Sequence, residues 1–363
     1  MTVHDGRPRP RCDVALPLLL MTLFPTAGRS VLFALVLAAV ATPSALAQPE
    51  ARSMYNQDRL AELFYARRDS LDDIPEVRYR AHVVEDPSGL DIVARAALYQ
   101  SVGDGDVTLG KQRLTIPAFL NGVYMDAVGN LPDLSIGDTL VLPDHYDLDF
   151  RAYSPFPRHW AGAGAHDKLF VIHKTVQAWA AYENGRLERW GLVSTGKDES
   201  ETPSGRYNFN WRELHRVSTL SPPGVSWDMR WVFNFYDERG IHVHQYYALP
   251  TDGAASHGCV RLMTADAQWI YDWADGWVTV NGTADRALAS RGRILRQGTM
   301  VLVLGDQPEG APQRFVQTEA GPEMVRVDLP ADPYSVRAGS PQQVQFDRAR
   351  AQASRRAAPR GRS

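Results

Sequence analysis

Of the two cysteines in the 363-residue chain, Cys12 and Cys259, the second sits among groups suited to reaction. It lies in ASHGCVRLM (residues 255–263), with His257 two residues before it and Arg261 two residues after. Upstream, GIHVHQ places His242 and His244 two apart, and side chains two apart on a strand share one face. A thiol needs a base to become a thiolate near neutral pH, and histidine is the usual base. Gly258 lets the backbone turn tightly and leaves room for a substrate. Main-chain N–H groups around Cys259, with Ser256 and Gly258 in the same loop, are suited to stabilising an oxyanion. Arg261 supplies a fixed positive charge for a substrate carboxylate. A zinc site is the rival chemistry. His242, His244, His257 and Cys259 offer three nitrogens and one sulfur, although no water-activating Glu accompanies them. Residue types alone leave thiol and metal equally open.

These groups must be held by a β-rich framework. KLFVIHK, VQAWAAYENGR and ERWGLVSTGK are strand-like runs starting near residue 168, and Asn184-Gly185 between two of them favours a hairpin turn. TPSGRYNF turns at Pro203 and Gly205 into another strand. WVFNFYDERGIHVHQYY gives two strands around Gly240. Thr264 is the expected N-cap of a helix that puts Ile270, Trp273 and Ala274 on one face, and GTMVLVLGD closes the domain with a buried strand. The predicted fold class is mostly β with minor α: a mostly β domain with one clear helix over 167–306, preceded by a small mixed α/β or β-rich domain over 48–153. A Pro-, Gly- and Ala-rich linker is expected over 154–166. Leu60, Leu63 and Phe64 mark a helix early in the preceding domain, whose residues 81–150 read as short strands and turns. The polar, Pro-rich, basic segment 307–363 is expected to be disordered.

The N-terminal stretch VLFALVLAAVATPSALAQPE follows Arg29 and ends its apolar run on Ala45-Leu46-Ala47. This pattern predicts a signal peptide over 1–47, cleaved after Ala47, with Met21 a plausible alternative start. Export to the periplasm or cell envelope follows, with membrane attachment only through an uncleaved signal. Removal of Cys12 leaves Cys259 with no partner for an internal disulfide. A net charge of −3 gives no reason to expect nucleic acid as a partner.

SHGCVRL resembles the signature of the L,D-transpeptidase (YkuD) catalytic domain. YENGRLERWGLVSTGK, TPSGRY, GIHVH, SHGCVRLMTADAQWIYDW and GTMVLVL follow in the order that family shows, over about residues 167–305. The resemblance implies a β-sandwich catalytic domain with a short helix over 167–306, with Cys259 as nucleophile, His244 as general base and His257 as the second histidine, orienting the loop or substrate. It assigns Arg261 to substrate or oxyanion support. It implies no metal and no cofactor. Two positions depart from the family pattern. Gln245 stands where Gly is usual, although its carbonyl remains available to orient the base, and His242 replaces a small residue. The implied reaction is acyl transfer on peptidoglycan stem peptides through a thioester, giving 3→3 cross-links, with roles in cell wall organisation and cell shape. Carbapenem-type inhibitors are then expected to acylate Cys259. The same acyl-enzyme serves an L,D-carboxypeptidase, or formation and hydrolysis of wall-to-protein links. A non-catalytic wall-binding protein, with function in the N-terminal domain, is the alternative of a different class. LPDLSIGDTLVLPDH resembles the closing part of a LysM carbohydrate-binding module.

Overall fold

The region ahead of residue 154 is more helical than its sequence suggests. The computed structural model describes residues 57–357 apart from 59, 62–66, 86–90, 124, 126–129, 132–133, 135, 251–252 and 281–292. The chain divides into two compact units, Met1–Ser44 and Ala45–Ser363, and every described residue lies in the second. The expected signal segment, Cys12, Leu63 and Phe64 lie outside the described residues.

In place of short strands and turns, β1 (Tyr79–Val83) is followed by helices α1 (Asp91–Val102) and α2 (Val107–Leu120), and then by β2 (Thr139–Pro143), which pairs antiparallel with β1. LTIPAFL looks like a strand because Thr115 and Ile116 are β-branched and Pro117 breaks helices. It is instead the buried half of α2, every residue from Leu114 to Leu120 packed inward. Asp106 starts that helix by accepting hydrogen bonds from the Thr108 and Leu109 amides. Gly110 lets α2 approach α1, since a Cβ there would fall 1.9 Å from the Tyr99 carbonyl oxygen. The LysM-like stretch supplies β2. The expected linker is also packed. It follows a 3₁₀ turn at Phe150–Tyr153 and forms another at Ala161–Ala163, and its Phe156 and Trp160 are buried. Proline and glycine disguised a segment whose aromatics make it core.

Residues 168–304 form a sandwich of two sheets. β3 (Lys168–His173), β4 (Ala178–Glu183), β5 (Arg186–Leu192) and β6 (Gly205–Asn208) belong to one sheet; β7 (Arg212–Val217), β8 (Asp228–Tyr236), β9 (Ile241–Gln245) and β10 (Val260–Leu262) form the other. Helix α3 (Thr264–Trp273) follows β10. After a small pair, β11 (Val278–Thr279) and β12 (Ile294–Arg296), β13 (Met300–Leu304) inserts between β3 and β6, giving the order β5-β4-β3-β13-β6. Asn184 and Gly185 join β4 to β5 with φ of 48° and 79°, as a type I′ turn requires.

Phe170, Ile172 and Trp179 face Phe233, Phe235, Ile241, Val243, Val260 and Leu262 across the sandwich, with Ile270 of α3 joining them. β3 and β4 are buried on both faces, which explains their unbroken apolar runs. Their outer face packs against Phe119, Phe150, Tyr153 and Phe156 from upstream and Met324 and Val327 from downstream. The C-terminal segment is therefore not a disordered tail. It forms a hairpin of β14 (Phe315–Thr318) and β15 (Gly321–Met324) and a helix, α4 (Pro341–Ala357), whose Asp347 pairs with the buried Arg206 of β6 at 2.7 Å. Composition missed this because few residues of the segment are apolar, yet those few close the sheet's outer face. Thr264 is the first residue of α3 rather than its cap. Its N–H and hydroxyl both donate to Oε1 of Gln57, whose own amide donates to the Tyr246 and Tyr247 carbonyls.

Candidate active site

β9 and β10 run parallel and paired, with Val260 opposite Val243, Arg261 opposite His244 and Leu262 opposite Gln245. Ile241, Val243, Val260 and Leu262 enter the core. By alternation, His242, His244 and Arg261 take the other face, and Cys259, one step before the paired register, lies across from His242. β10 is also a seam. Its second edge meets Ser194, just beyond β5, through reciprocal bonds between Ser194 and Arg261 of 3.1 and 2.9 Å. The nucleophile candidate thus sits where the two sheets meet.

The loop carrying Cys259 is clamped from below. The amides of Ala255 and Ser256 both donate to the Thr195 carbonyl, and Lys197 donates to the Ser256 carbonyl. Thr202, fully buried, accepts from the Gly196 amide and donates to the Gly258 carbonyl at 2.8 Å. Gly258 has φ of +116°, a conformation that side-chain-bearing residues rarely adopt. Ser256 was expected to face substrate or oxyanion. It is instead buried, its Oγ accepting from the Gly258 amide and donating to the Cys259 carbonyl, so its hydroxyl shapes the loop.

His244 is buried and its Nδ1 lies 2.7 Å from the Gln245 carbonyl. A carbonyl only accepts, so the proton sits on Nδ1 and Nε2 presents its lone pair. That is the tautomer a general base needs, and Gln245 supplies it through its backbone. The partly exposed Cys259 sulfur lies 3.9 Å from the Gly240 carbonyl. Burial raises the thiol to about 11, opposed by the His242 main-chain N–H and the Arg261 guanidinium. Burial lowers His244 to about 4; the Gln245 carbonyl opposes this and Arg261 adds to it. His242 falls to about 3, through burial and then the neighbouring His244. At neutral pH the site therefore rests as a thiol beside neutral imidazoles.

Arg261 lies over the Tyr246 ring at 4.1 Å, with Nη1 3.3 Å from the Ala255 carbonyl, on the same face as His244. His257 is exposed and stacks on Trp227 at 5.3 Å. No hydrogen bond joins it to His244 or Cys259 among the described residues. Among the described residues, no group of three or more His, Cys, Asp or Glu side chains is placed to hold a metal ion. The sequence reading did not single out Thr195, Thr202, Gln57 or Asn234. The first two adjoin STG and TPSG, whose small residues hint at close packing. For Gln57 no local signal exists, because its partners lie about 190 or more residues away, and Asn234 carries none because its partners meet it across a strand turn.

Residues 167–303 match the family model of YkuD, the L,D-transpeptidase catalytic domain, over less than half of the chain. No curated protein matches the sequence. Among solved structures, an L,D-transpeptidase from Mycobacterium smegmatis aligns at 19% identity and TM-score 0.29, covering 38% of this chain and 58% of its own. One from Stackebrandtia nassauensis aligns at 20% identity and TM-score 0.30, covering 40% and 58%. An LD transpeptidase in complex with imipenem aligns at 16% identity and TM-score 0.27, covering 47% and 75%. The aligned part of this chain spans little more than half the length of the first two.

Proposed function

We propose that the L,D-transpeptidase domain of residues 167–303 works as an exported cysteine acyltransferase on peptidoglycan stem peptides. The carrying observation is the hydrogen bond from His244 Nδ1 to the Gln245 carbonyl, which leaves Nε2 as a base on the face that bears Cys259. His244 Nε2 takes the thiol proton as sulfur attacks the carbonyl of an L-centre residue in a donor stem. The tetrahedral oxyanion collapses, the C–N bond to the terminal D-amino acid breaks, and the leaving amine receives the proton from His244. An amine of a neighbouring stem then attacks the thioester, passes a proton to His244 and releases the thiolate, closing a 3→3 cross-link. Arg261 offers its charge to a stem carboxylate near the reacting centre. The signal-like segment 1–47 supports delivery to the cell envelope, where this substrate lies.

Imipenem provides the first test, because a thiolate opens a β-lactam ring and retains the whole molecule. Intact-protein mass spectrometry is expected to show one adduct, absent in Cys259→Ala; no adduct on the wild type would sink the proposal. Incubation with defined tetrapeptide muropeptides then distinguishes acceptors. Cross-linked dimers identify transfer, and shortened tripeptides identify an L,D-carboxypeptidase using the same acyl-enzyme.

A further inference from the structure

His242, the departure from the family pattern on the nucleophile's face, ends a hydrogen-bonded chain that starts outside the family-matched segment. Its Nδ1 lies 3.1 Å from Nδ2 of Asn234, and both side chains are buried. The orientation of the Asn234 amide is fixed independently. The same Nδ2 faces the carbonyls of Ile241 at 3.1 Å and Tyr236 at 3.3 Å, and an oxygen there would meet two oxygens. Asn234 Oδ1 consequently points the other way and accepts from Asn210 Nδ2 at 2.8 Å. Asn210, also buried, is thereby oriented with its Oδ1 toward α4, where Gln342 Nε2 donates to it at 3.1 Å. Each amide has one orientation that satisfies its neighbours, and the two carbonyls set the direction of the whole chain.

The consequence falls on the imidazole. The two Nδ2 hydrogens serve three acceptors, so one is shared, and the amide nitrogen itself accepts no hydrogen bond; a protonated Nδ1 would therefore face a donor, so Nδ1 is bare and the ring proton sits on Nε2. The imidazolium, with protons on both nitrogens, meets the same conflict. Trp211 packs on the ring at 5.1 Å and restrains it further. The ionisable groups around the ring are His244 along the strand, Cys259 and Arg261 across it, and Asp237 and Arg216, both in contact with Trp211. The two histidines therefore hold opposite tautomers, Nδ1–H in His244 and Nε2–H in His242.

We propose that the Gln342–Asn210–Asn234 amide chain, anchored on the C-terminal helix, locks His242 as a neutral Nε2–H donor beside Cys259 and thereby reserves the base role for His244. Asn234, Asn210 and Gln342 are positioning residues that act through His242. The proposal rests on the reading of Cys259 as nucleophile only for its effect on rate; the tautomer is readable without turnover.

Long-range proton–nitrogen correlation spectra of the full-length protein labelled with ¹⁵N-histidine, with His242 assigned by its loss in His242→Gln, read the tautomer directly. The expected result is a neutral Nε2–H ring near pH 7; a proton on Nδ1 overturns the proposal. Asn234→Asp replaces the donor by an acceptor of the same shape. It is expected to move the His242 proton to Nδ1 or make the ring cationic near neutral pH, and to slow imipenem acylation at least about tenfold with a new ionisation in its pH profile. An unchanged spectrum and profile in a folded Asn234→Asp refute the proposal. Gln342→Ala leaves the buried core intact and tests the helix end. It is expected to slow acylation about fivefold, the scale of one hydrogen bond, without weakening initial imipenem binding. Unchanged acylation in this variant removes α4 from the chain and overturns that part. A wild type with Nε2–H at His242 but no imipenem adduct contradicts the acyltransferase reading and leaves the tautomer assignment standing.

Discussion

The resting ionisation of Cys259 and His244 decides which kind of cysteine chemistry the site performs. With the thiol near 11 and the imidazole near 4, both groups are neutral between those values. At 1.36 kcal/mol per unit, that gap sets the cost of moving the proton from sulfur to His244 at roughly 10 kcal/mol. Attraction within the resulting ion pair returns at most about 4 kcal/mol, the value for charges in contact at about 4 Å and an effective dielectric constant of 20. The remaining ~6 kcal/mol keeps the ion pair below about one molecule in ten thousand. Water at the partly exposed sulfur lessens the burial penalty without removing a margin of that size. His244 should then act as base during attack instead of holding a preformed thiolate. The assay is difference absorbance at 240 nm between wild type and Cys259→Ser, titrated with pH, together with iodoacetamide alkylation. The expected thiolate midpoint lies above about pH 9, with alkylation rising about tenfold per pH unit below it. The acid limb follows from the lowered His244 value. The neutral base persists as pH falls until about 4, where protonation abolishes β-lactam acylation. A thiolate midpoint below pH 7, or alkylation independent of pH between 5 and 8, refutes this reasoning and establishes an ion-pair mechanism.

Gly258→Ala forces a side chain into φ of +116°, where the new Cβ would lie 3.4 Å from the Ser200 carbonyl oxygen. Backbone strain of about 1–3 kcal/mol should appear in denaturant midpoints, with imipenem acylation slowed because the strain falls on the residue before Cys259. Arg189 and Asp266 form a buried pair at 2.6 Å under α3. Arg189→Met should cost about 3–5 kcal/mol by thermal or chemical unfolding, and Arg189→Met/Asp266→Leu should recover most of it, because the single change strands a buried carboxylate. A single change no more harmful than the double would contradict this account. Deleting residues 307–363 should lower the thermal midpoint by several degrees and increase binding of a hydrophobic dye, since Met324 and Val327 leave the outer face of β3 and β4.

How far the sequence reveals the fold depends on the range over which each feature is fixed. The Asn184-Gly185 turn, the β9 and β10 alternation and the double-sided burial of β3 and β4 are local, so period and turn chemistry reveal them. The proximity of Cys259, His244 and Arg261 is legible for the same reason: His244 and Arg261 pair across β9 and β10, Cys259 immediately precedes β10, and their spacing survives in a linear string. Helix α2 is not legible, because its β-branched residues and Pro117 argue against a helix that tertiary burial nonetheless stabilises. Segments 154–166 and 307–357 are misread for a related cause, as composition averages conceal a few large side chains placed where one sheet face needs cover.

These misread segments bear on the chemistry and not only on packing. β3 and β4 have two faces to bury, and the family-matched residues supply partners for one of them. The other face is covered by chain from both sides of that segment. Once α4 is docked by Arg206 and Asp347, Gln342 comes within reach of Asn210, and through Asn234 of His242. The apolar requirement of one sheet face thereby brings a polar helix to the back of the candidate site. Chemistry beside Cys259 is in this way tied to the burial of residues far from it in sequence, and Gln245, the other departure from the family pattern, changes less, because only its backbone carbonyl is used.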